Sequence, residues 1–215
     1  MTIHYTDPHA DVPPGVDFLD AEQVRAWVSA CEAGKPWREP VRRRFVDLVG
    51  TLPAGARVLE LGSGPGYLAE SVLAGCRNVE SYTLVDFSEH MLALSRHRLA
   101  GRETARFINA DFKAADWRDA LSPPYAAVVA MQAIHEMRHK RHVPGLYRQI
   151  RDVLEPHGLL AVCDGTPRDA TVLWQISLSM TGGEQIEAFA SAGYTEVTLE
   201  KRMGAMILVT GRAPR

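Results

Sequence analysis

The chain predicts an α/β fold of the doubly wound, mostly parallel kind, and three observations predict it. From about residue 57 onward, short apolar runs of strand length alternate with segments of helical period. One run, Tyr125 to Met131, is apolar at every position, as a central parallel strand covered on both faces requires. Another, Arg57 to Leu61, is followed by glycines at 62, 64 and 66, which let the backbone turn sharply into a helix beginning near Pro65 to Tyr67.

Taken in order, residues 1–19 hold the turn formers Asp7-Pro8 and Val12-Pro13-Pro14-Gly15 and predict an arm without regular structure at its start. Asp20-Ala21-Glu22-Gln23 reads as a capped helix start, leading to about Ala33 with Val24, Trp27 and Val28 on one face, and Gly34-Lys35-Pro36 ends it. A second helix, from near Pro40 to about Gly50, buries Val41, Phe45, Leu48 and Val49. Arg38, Arg42, Arg43 and Arg44 fall on or near its outer side, as a solvated face or, alternatively, with one of them reaching an acidic group of a cofactor or substrate.

After the glycine turn a helix runs to about Ala74, and Ser81 to Asp86 forms the second strand. Ser88 caps a helix to about Leu99 that turns Met91, Leu92 and Leu94 toward the sheet. A third strand spans about Ala105 to Ile108, the turn Asp111-Phe112 follows, and Pro123-Pro124 introduces the strand ending at Met131 and Gln132. Pro144 suits the first turn of a helix to about Leu154, and Pro156-His157-Gly158 leads into a fifth strand, Leu159 to Asp164. Residues 165–181 form a long connection that concentrates Trp174, Leu178 and Met180, either plain core or the wall of a substrate site. Thr181-Gly182-Gly183-Glu184 has the spacing of a capping box and opens a helix to about Ala192, after which Tyr194 to Lys201 and Ala205 to Thr210 read as a hairpin at the sheet edge.

With 215 residues the chain is most simply one domain, residues 1–52 forming the arm and two helices and 53–215 the sheet-based core. A net charge of -2 and pI near 6.4 give no overall attraction to nucleic acid or anionic membrane. Cys31, Cys76 and Cys163 are scattered and odd in number, so they read as reduced small residues. The start of the chain has neither a basic leader nor an apolar core of signal type, and no run is long enough for a membrane helix, which predicts a cytoplasmic address.

The chemistry concentrates after the first strand. A strand, a glycine turn and a helix N-terminus aim unpaired N–H groups at whatever lies beyond the strand's carboxyl end. Asp86, at the tip of the second strand, is placed to accept both hydroxyls of a ribose. A dinucleotide fingerprint wants its third small residue where Tyr67 stands, one place beyond Gly66, which weakens the pyrophosphate reading.

These residues resemble the class I, Rossmann-like methyltransferases that use S-adenosylmethionine. Glu60-Leu61-Gly62-Ser63-Gly64-Pro65-Gly66 is similar to that family's first motif, Val85-Asp86-Phe87-Ser88-Glu89-His90-Met91 to its ribose motif, and Asn109-Ala110-Asp111-Phe112 to its adenine motif, over about Arg57 to Gly158. The resemblance implies a seven-stranded sheet with the last strand antiparallel and S-adenosylmethionine as cofactor. It implies that Gly62, Ser63, Gly64 and Gly66 line the aminocarboxypropyl arm, with Glu60 orienting the loop. It further implies Asp86 on the ribose, Phe87, Asp111 and Phe112 around the adenine, Ser88 and Met91 in the ribose motif, and Met131 and Gln132 beside the sulfonium.

His135-Glu136-Met137-Arg138-His139 competes for attention because H-E-x-x-H on a helix can hold zinc. Here it lies between a buried strand and Pro144, among Arg138, Lys140 and Arg141, so no metal is expected. The position just past the fourth strand faces the transferred methyl in the resembled family, so His135 and Glu136 are either loop residues capping the sheet or functional, His135 then being the candidate general base with an ordinary pKa of about 6.5 and Glu136 its orienter or substitute. The cluster Arg138 to His142 reads as a solvated loop or a lure for an acidic substrate. The function expected is methyl transfer to a small-molecule acceptor, without nucleic acid or membrane partners and with no oligomeric state assigned. The alternatives are a nicotinamide-dependent oxidoreductase and a catalytically silent nucleotide-binding subunit, with zinc proteolysis furthest behind.

Overall fold

The computed structural model describes residues 5–31 and 35–215. Two helices, α1 (Ala21–Cys31) and α2 (Arg38–Gly50), precede a core of β1 (Ala56–Leu61), α3 (Tyr67–Gly75), β2 (Val79–Asp86), α4 (Glu89–Arg98), β3 (Ala105–Asn109) and β4 (Tyr125–Met131). It continues with α5 (Val143–Arg151), β5 (Leu154–Gly165), α6 (Leu173–Leu178), α7 (Gly182–Ser191), β6 (Thr195–Met203) and β7 (Met206–Arg212). The seven strands form one sheet in the order β3-β2-β1-β4-β5-β7-β6. β1 to β5 pair in parallel, and β7 inserts between β5 and β6 antiparallel to both.

β1 lies between β2 and β4, so the chain winds outward from it in both directions and leaves a crevice beyond its carboxyl end. Apolar side chains fill both faces of the sheet: Leu59, Leu61, Val128 and Val162 belong to one core, Val58, Leu84, Ala127 and Val129 to the other. That two-sided burial is why β4 has no polar residue along its length.

The caps stand where their residues predict them. Asp20 accepts from the N–H groups of Glu22 and Gln23 at 2.8 and 2.9 Å, Ser88 from Met91 at 3.2 Å, and Thr181 and Glu184 close a reciprocal box. Several boundaries differ from expectation. α2 starts at Arg38 rather than near Pro40, which sits comfortably in its first turn. β2 begins at Val79, and β5 already at Leu154, whose pairing with Tyr125 is interrupted by the turn before Leu159. The expected end of the first helix near Ala33 and its Gly34 stop fall outside the described residues. No helix among the described residues is long and apolar enough to cross a membrane.

Residues 5–19 contain neither helix nor strand and run as a strap across the turns that follow β4. Val12 is buried there, 1% exposed. The cluster expected to be a solvated loop proves to be the strap's anchorage. Arg138 donates to the carbonyls of Val12 and Pro13, His139 Nε2 to that of Pro8, and Arg141 and His142 reach Asp11.

Candidate active site

The crevice beyond β1 is a cavity of about 350 Å³. Its floor is the glycine turn. Gly62 has φ +63°, and a Cβ there would lie 2.3 Å from the Cβ of Ala133, so only glycine lets β1 and the turn after β4 approach this closely. Gly62 and Ser63 donate to the Val85 carbonyl, and Gly64 donates its N–H to Asp86 Oδ2 at 2.8 Å. The other carboxylate oxygen of Asp86 accepts from Ser88 N–H at 2.9 Å. Burial pushes the Asp86 carboxyl up to about 6, against those two N–H bonds and with help from the charges of Glu136 and Asp111. Phe87, Met91 and Phe112 face the cavity around it.

A smaller recess of about 80 Å³ opens on the other side of the turn, between Glu60, Ser63, Tyr67, Met131 and Gln132. Glu60 is 2% exposed and accepts from the Tyr82 hydroxyl at 2.8 Å. Burial raises its carboxyl to about 8, opposed by that bond and reinforced by Asp86, so near neutral pH it can offer either a donor or an acceptor. The Ser63 hydroxyl is buried and has no hydrogen-bond partner among the described residues. A buried hydroxyl without a protein partner is free to bond a ligand's polar atom or a water.

Arg38 corrects an expectation. Rather than lying on an outer face it is 6% exposed, borders both spaces, and grips Gln132 Oε1 through Nε and Nη2 at 3.2 and 2.8 Å. Its guanidinium also lies 5.8 and 5.7 Å from the ring centres of Trp27 and Trp37.

Across the cavity a 3₁₀ turn, Ile134–Met137, presents His135 and Glu136. His135 is held at two points by Asp164, whose oxygens accept from the backbone N–H at 2.9 Å and bond ring Nδ1 at 2.8 Å. Ring Nε2 lies 3.3 Å from Glu136 Oε1, and Arg138 donates to Glu136 Oε2 at 3.1 Å. Burial alone would lower the His135 pKa, but the charge and bond of Asp164, followed by those of Glu136, carry it up to about 10. The histidine expected to be neutral is therefore an imidazolium at neutral pH. Glu136 moves the other way: burial would raise it, and His135 and Arg138 bring it down to about 2.

The H-E-x-x-H spacing does not sit on one helix. Arg138, at φ +63°, separates two 3₁₀ turns, and both ring nitrogens of His139 are engaged, Nε2 with the Pro8 carbonyl at 2.9 Å and Nδ1 with the Arg141 N–H at 3.0 Å.

Of the residues expected in the site, Gly62, Gly64, Asp86, Phe87, Met91, Phe112, Gln132, His135 and Glu136 border the main cavity, and Glu60, Ser63 and Met131 the recess. Three lie outside both. Gly66 takes the left-handed turn into α3, packed against Ser95; Ser88 is buried as a cap and donates to the Phe18 carbonyl; the Asp111 carboxylate accepts from its neighbour Lys113. Sequence reasoning missed Asp164 as a partner of His135, although an acid at the tip of β5 parallels Asp86 at the tip of β2. It also missed the wall formed by Gly15, Val16, Phe18 and Trp27, for which the sequence carries no signal beyond an apolar Trp27.

A family model described as a methyltransferase domain matches residues 58–158. A demethylmenaquinone methyltransferase of Clavibacter sepedonicus is 31% identical over 128 residues, covering 60% of this chain and 46% of the relative. The chain spans less than half the length of the curated relatives it matches. Among solved structures, human N-acetylserotonin methyltransferase in complex with SAM shares the fold at TM-score 0.68 and 16% identity, covering 91% of this chain and 57% of that one. The N-methyltransferase NodS from Bradyrhizobium japonicum does so at TM-score 0.67 and 14% identity, covering 85% and 99%. The family model thus matches from β1 into β5, a little under half of the chain, and the fold is shared with these solved methyltransferase structures, so the chain is similar to the class I, Rossmann-like methyltransferases.

Proposed function

We propose that the protein transfers a methyl group from S-adenosylmethionine to a small-molecule acceptor. The observation that carries this reading is that one cavity brings the glycine turn and Asp86 on one side together with His135 and Glu136 on the other. The residues present fit the cofactor. Asp86 suits two ribose hydroxyls, Phe87 and Phe112 an adenine face, and the orphaned hydroxyl of Ser63 the polar end of the amino-acid arm. The remaining expected roles keep to the same plan, with Glu60 behind the loop, Met131 and Gln132 near the sulfonium, and Asp111 reaching the adenine edge by a side-chain turn. When bound, the cofactor supplies an electrophilic methyl group, so the chain need only align an acceptor and manage its proton.

Asp164 fixes the His135 ring, and Nε2–H points toward Glu136 in the cavity. An acceptor that takes the place of Glu136 at that nitrogen receives a hydrogen bond from it. An ionised hydroxyl can accept that bond and still attack with a second lone pair, whereas a neutral amine has one lone pair and needs it for the methyl group. The charged histidine therefore favours an oxygen acceptor. A cavity of about 350 Å³ lies at the small end of the usual ligand range, which supports a small molecule rather than a protein or nucleic-acid acceptor. The name of the Clavibacter relative also denotes a small organic acceptor. A cytoplasmic location belongs to the same reading.

Calorimetric titration of the purified chain with S-adenosylhomocysteine and, separately, with NADH tests it. Micromolar binding of the first is expected; binding of NADH alone would overturn the reading in favour of an oxidoreductase.

A further inference from the structure

Arg138 stands where the strap and the charged pair of the site meet. Its backbone carbonyl accepts from Val12 N–H at 2.8 Å, and its Nε donates to the Val12 carbonyl at 2.8 Å. Nη2 donates to the Pro13 carbonyl, while Nη1 donates to Glu136 Oε2 at 3.1 Å. One guanidinium thus holds two strap carbonyls and the carboxylate that faces His135 Nε2. The residue adopts φ +63°, a conformation that is unfavourable for a non-glycine residue and persists only where surroundings enforce it. Immediately beyond the two gripped carbonyls, the strap delivers Gly15, Val16 and Phe18 to the cavity wall.

We propose that Arg138 is a positioning residue through which closure of the strap sets Glu136 against His135, so that the cavity wall and the charged pair are completed in one movement. With the strap away, the guanidinium loses both carbonyls and returns to water, and Glu136 loses the fork that aims it. With the strap seated, Glu136 is fixed between Arg138 and His135 and the cavity is walled. This goes beyond the reading of the site as a methyltransferase and rests on it only for the use to which the closed cavity is put.

The test uses the whole chain without cofactor or acceptor, so it stands apart from any failure of that reading. Val12→Asp places a charge in a position that is 1% exposed, which the seated strap cannot accommodate. Limited proteolysis within residues 5–19 should accelerate roughly a hundredfold, because cleavage follows the open population. The NMR titration midpoint of the His135 ring should fall by about one pH unit as Glu136 is released. The sign is diagnostic, since a new carboxylate acting through space would raise the midpoint. Arg138→Gln, which leaves the strap sequence intact, should accelerate the same cleavage about fivefold to tenfold. An unchanged or raised His135 midpoint in Val12→Asp would overturn the coupling. Wild-type cleavage in either variant would overturn the clasp.

Discussion

Asp164→Asn is the sharpest probe of the site, because the substitution keeps the shape and removes the charge. In the native chain Asp164 Oδ1 bonds His135 Nδ1 at 2.8 Å and accepts from Gly165 N–H at 2.7 Å, while Oδ2 accepts from His135 N–H at 2.9 Å. The asparagine carbonyl can keep the first two contacts, but its NH₂ must then face the backbone N–H of His135. Breaking a buried ion pair from one side costs about 3–5 kcal/mol, and with the ring 29% exposed the lower end applies. At 1.36 kcal/mol per pH unit, about 3 kcal/mol corresponds to a fall of roughly two pH units, so the His135 midpoint should move from about 10 to about 8. Glu136 still holds it above the ordinary 6.5.

The ring proton signals of His135, followed by NMR from pH 5 to 11, read this directly. Stability gives an independent check. A histidine whose pKa is raised on folding contributes stability that is fully present below about pH 6.5 and is lost as pH rises through about 10. Urea denaturation should therefore show the wild-type advantage over Asp164→Asn to be largest near pH 6 and to shrink toward pH 10. A wild-type His135 midpoint near 6.5, or one that Asp164→Asn leaves in place, would refute the ion-pair account.

Three further outcomes follow from the cofactor side. Asp86→Ala should weaken S-adenosylhomocysteine binding by roughly 2–3 kcal/mol, read by calorimetry, because two hydroxyls lose a charged acceptor in a largely buried place. Since the Asp86 carboxyl is raised to about 6, wild-type affinity should also hold above pH 7 and fall about tenfold per pH unit well below 6, a dependence that Asp86→Asn abolishes. Ser63→Ala should cost affinity, about 1 kcal/mol, while leaving stability to denaturant unchanged or slightly higher, because the hydroxyl has no partner to lose among the described residues.

The strands were legible because each carries its own signal in a short window. β4 is apolar throughout, and Gly62, Gly64 and Gly66 mark a turn that takes positive φ at three places. Ser88 announces its helix as a capping hydroxyl, and Thr181 through the glutamate three places on. Where expectation slipped, a longer-range contact decided. β5 extends back to Leu154 because Tyr125 is there to pair with it, and Arg38 turns inward because Gln132, 94 positions away, offers an acceptor. The strap from Tyr5 to Leu19 has no period of its own. It is placed by Val12 and by the bonds it receives from Arg138, His139 and Arg141, none of which a local window can pair with it.

The same distinction separates which residues form the site from what they do there. Motif spacing puts His135 and Glu136 after β4, and that position is where the structure has them. Their protonation is a property of neighbours in space. Asp164, 29 positions on, takes Nδ1; Glu136 takes Nε2; Arg138 closes the far side of Glu136. The result is a row of alternating charge, each member stabilised by the one beside it, so the histidine that in isolation would be largely neutral at pH 7 holds its proton. A general base must have a free nitrogen, and here both are occupied in the resting chain. His135 can accept a proton only after Glu136 has left Nε2 and the proton there has been lost; otherwise it serves as a donor to an acceptor that arrives ionised. Because Glu136 is aimed by Arg138, and Arg138 by the strap, the acid–base state of His135 is set by a segment more than 120 residues upstream of it in the sequence.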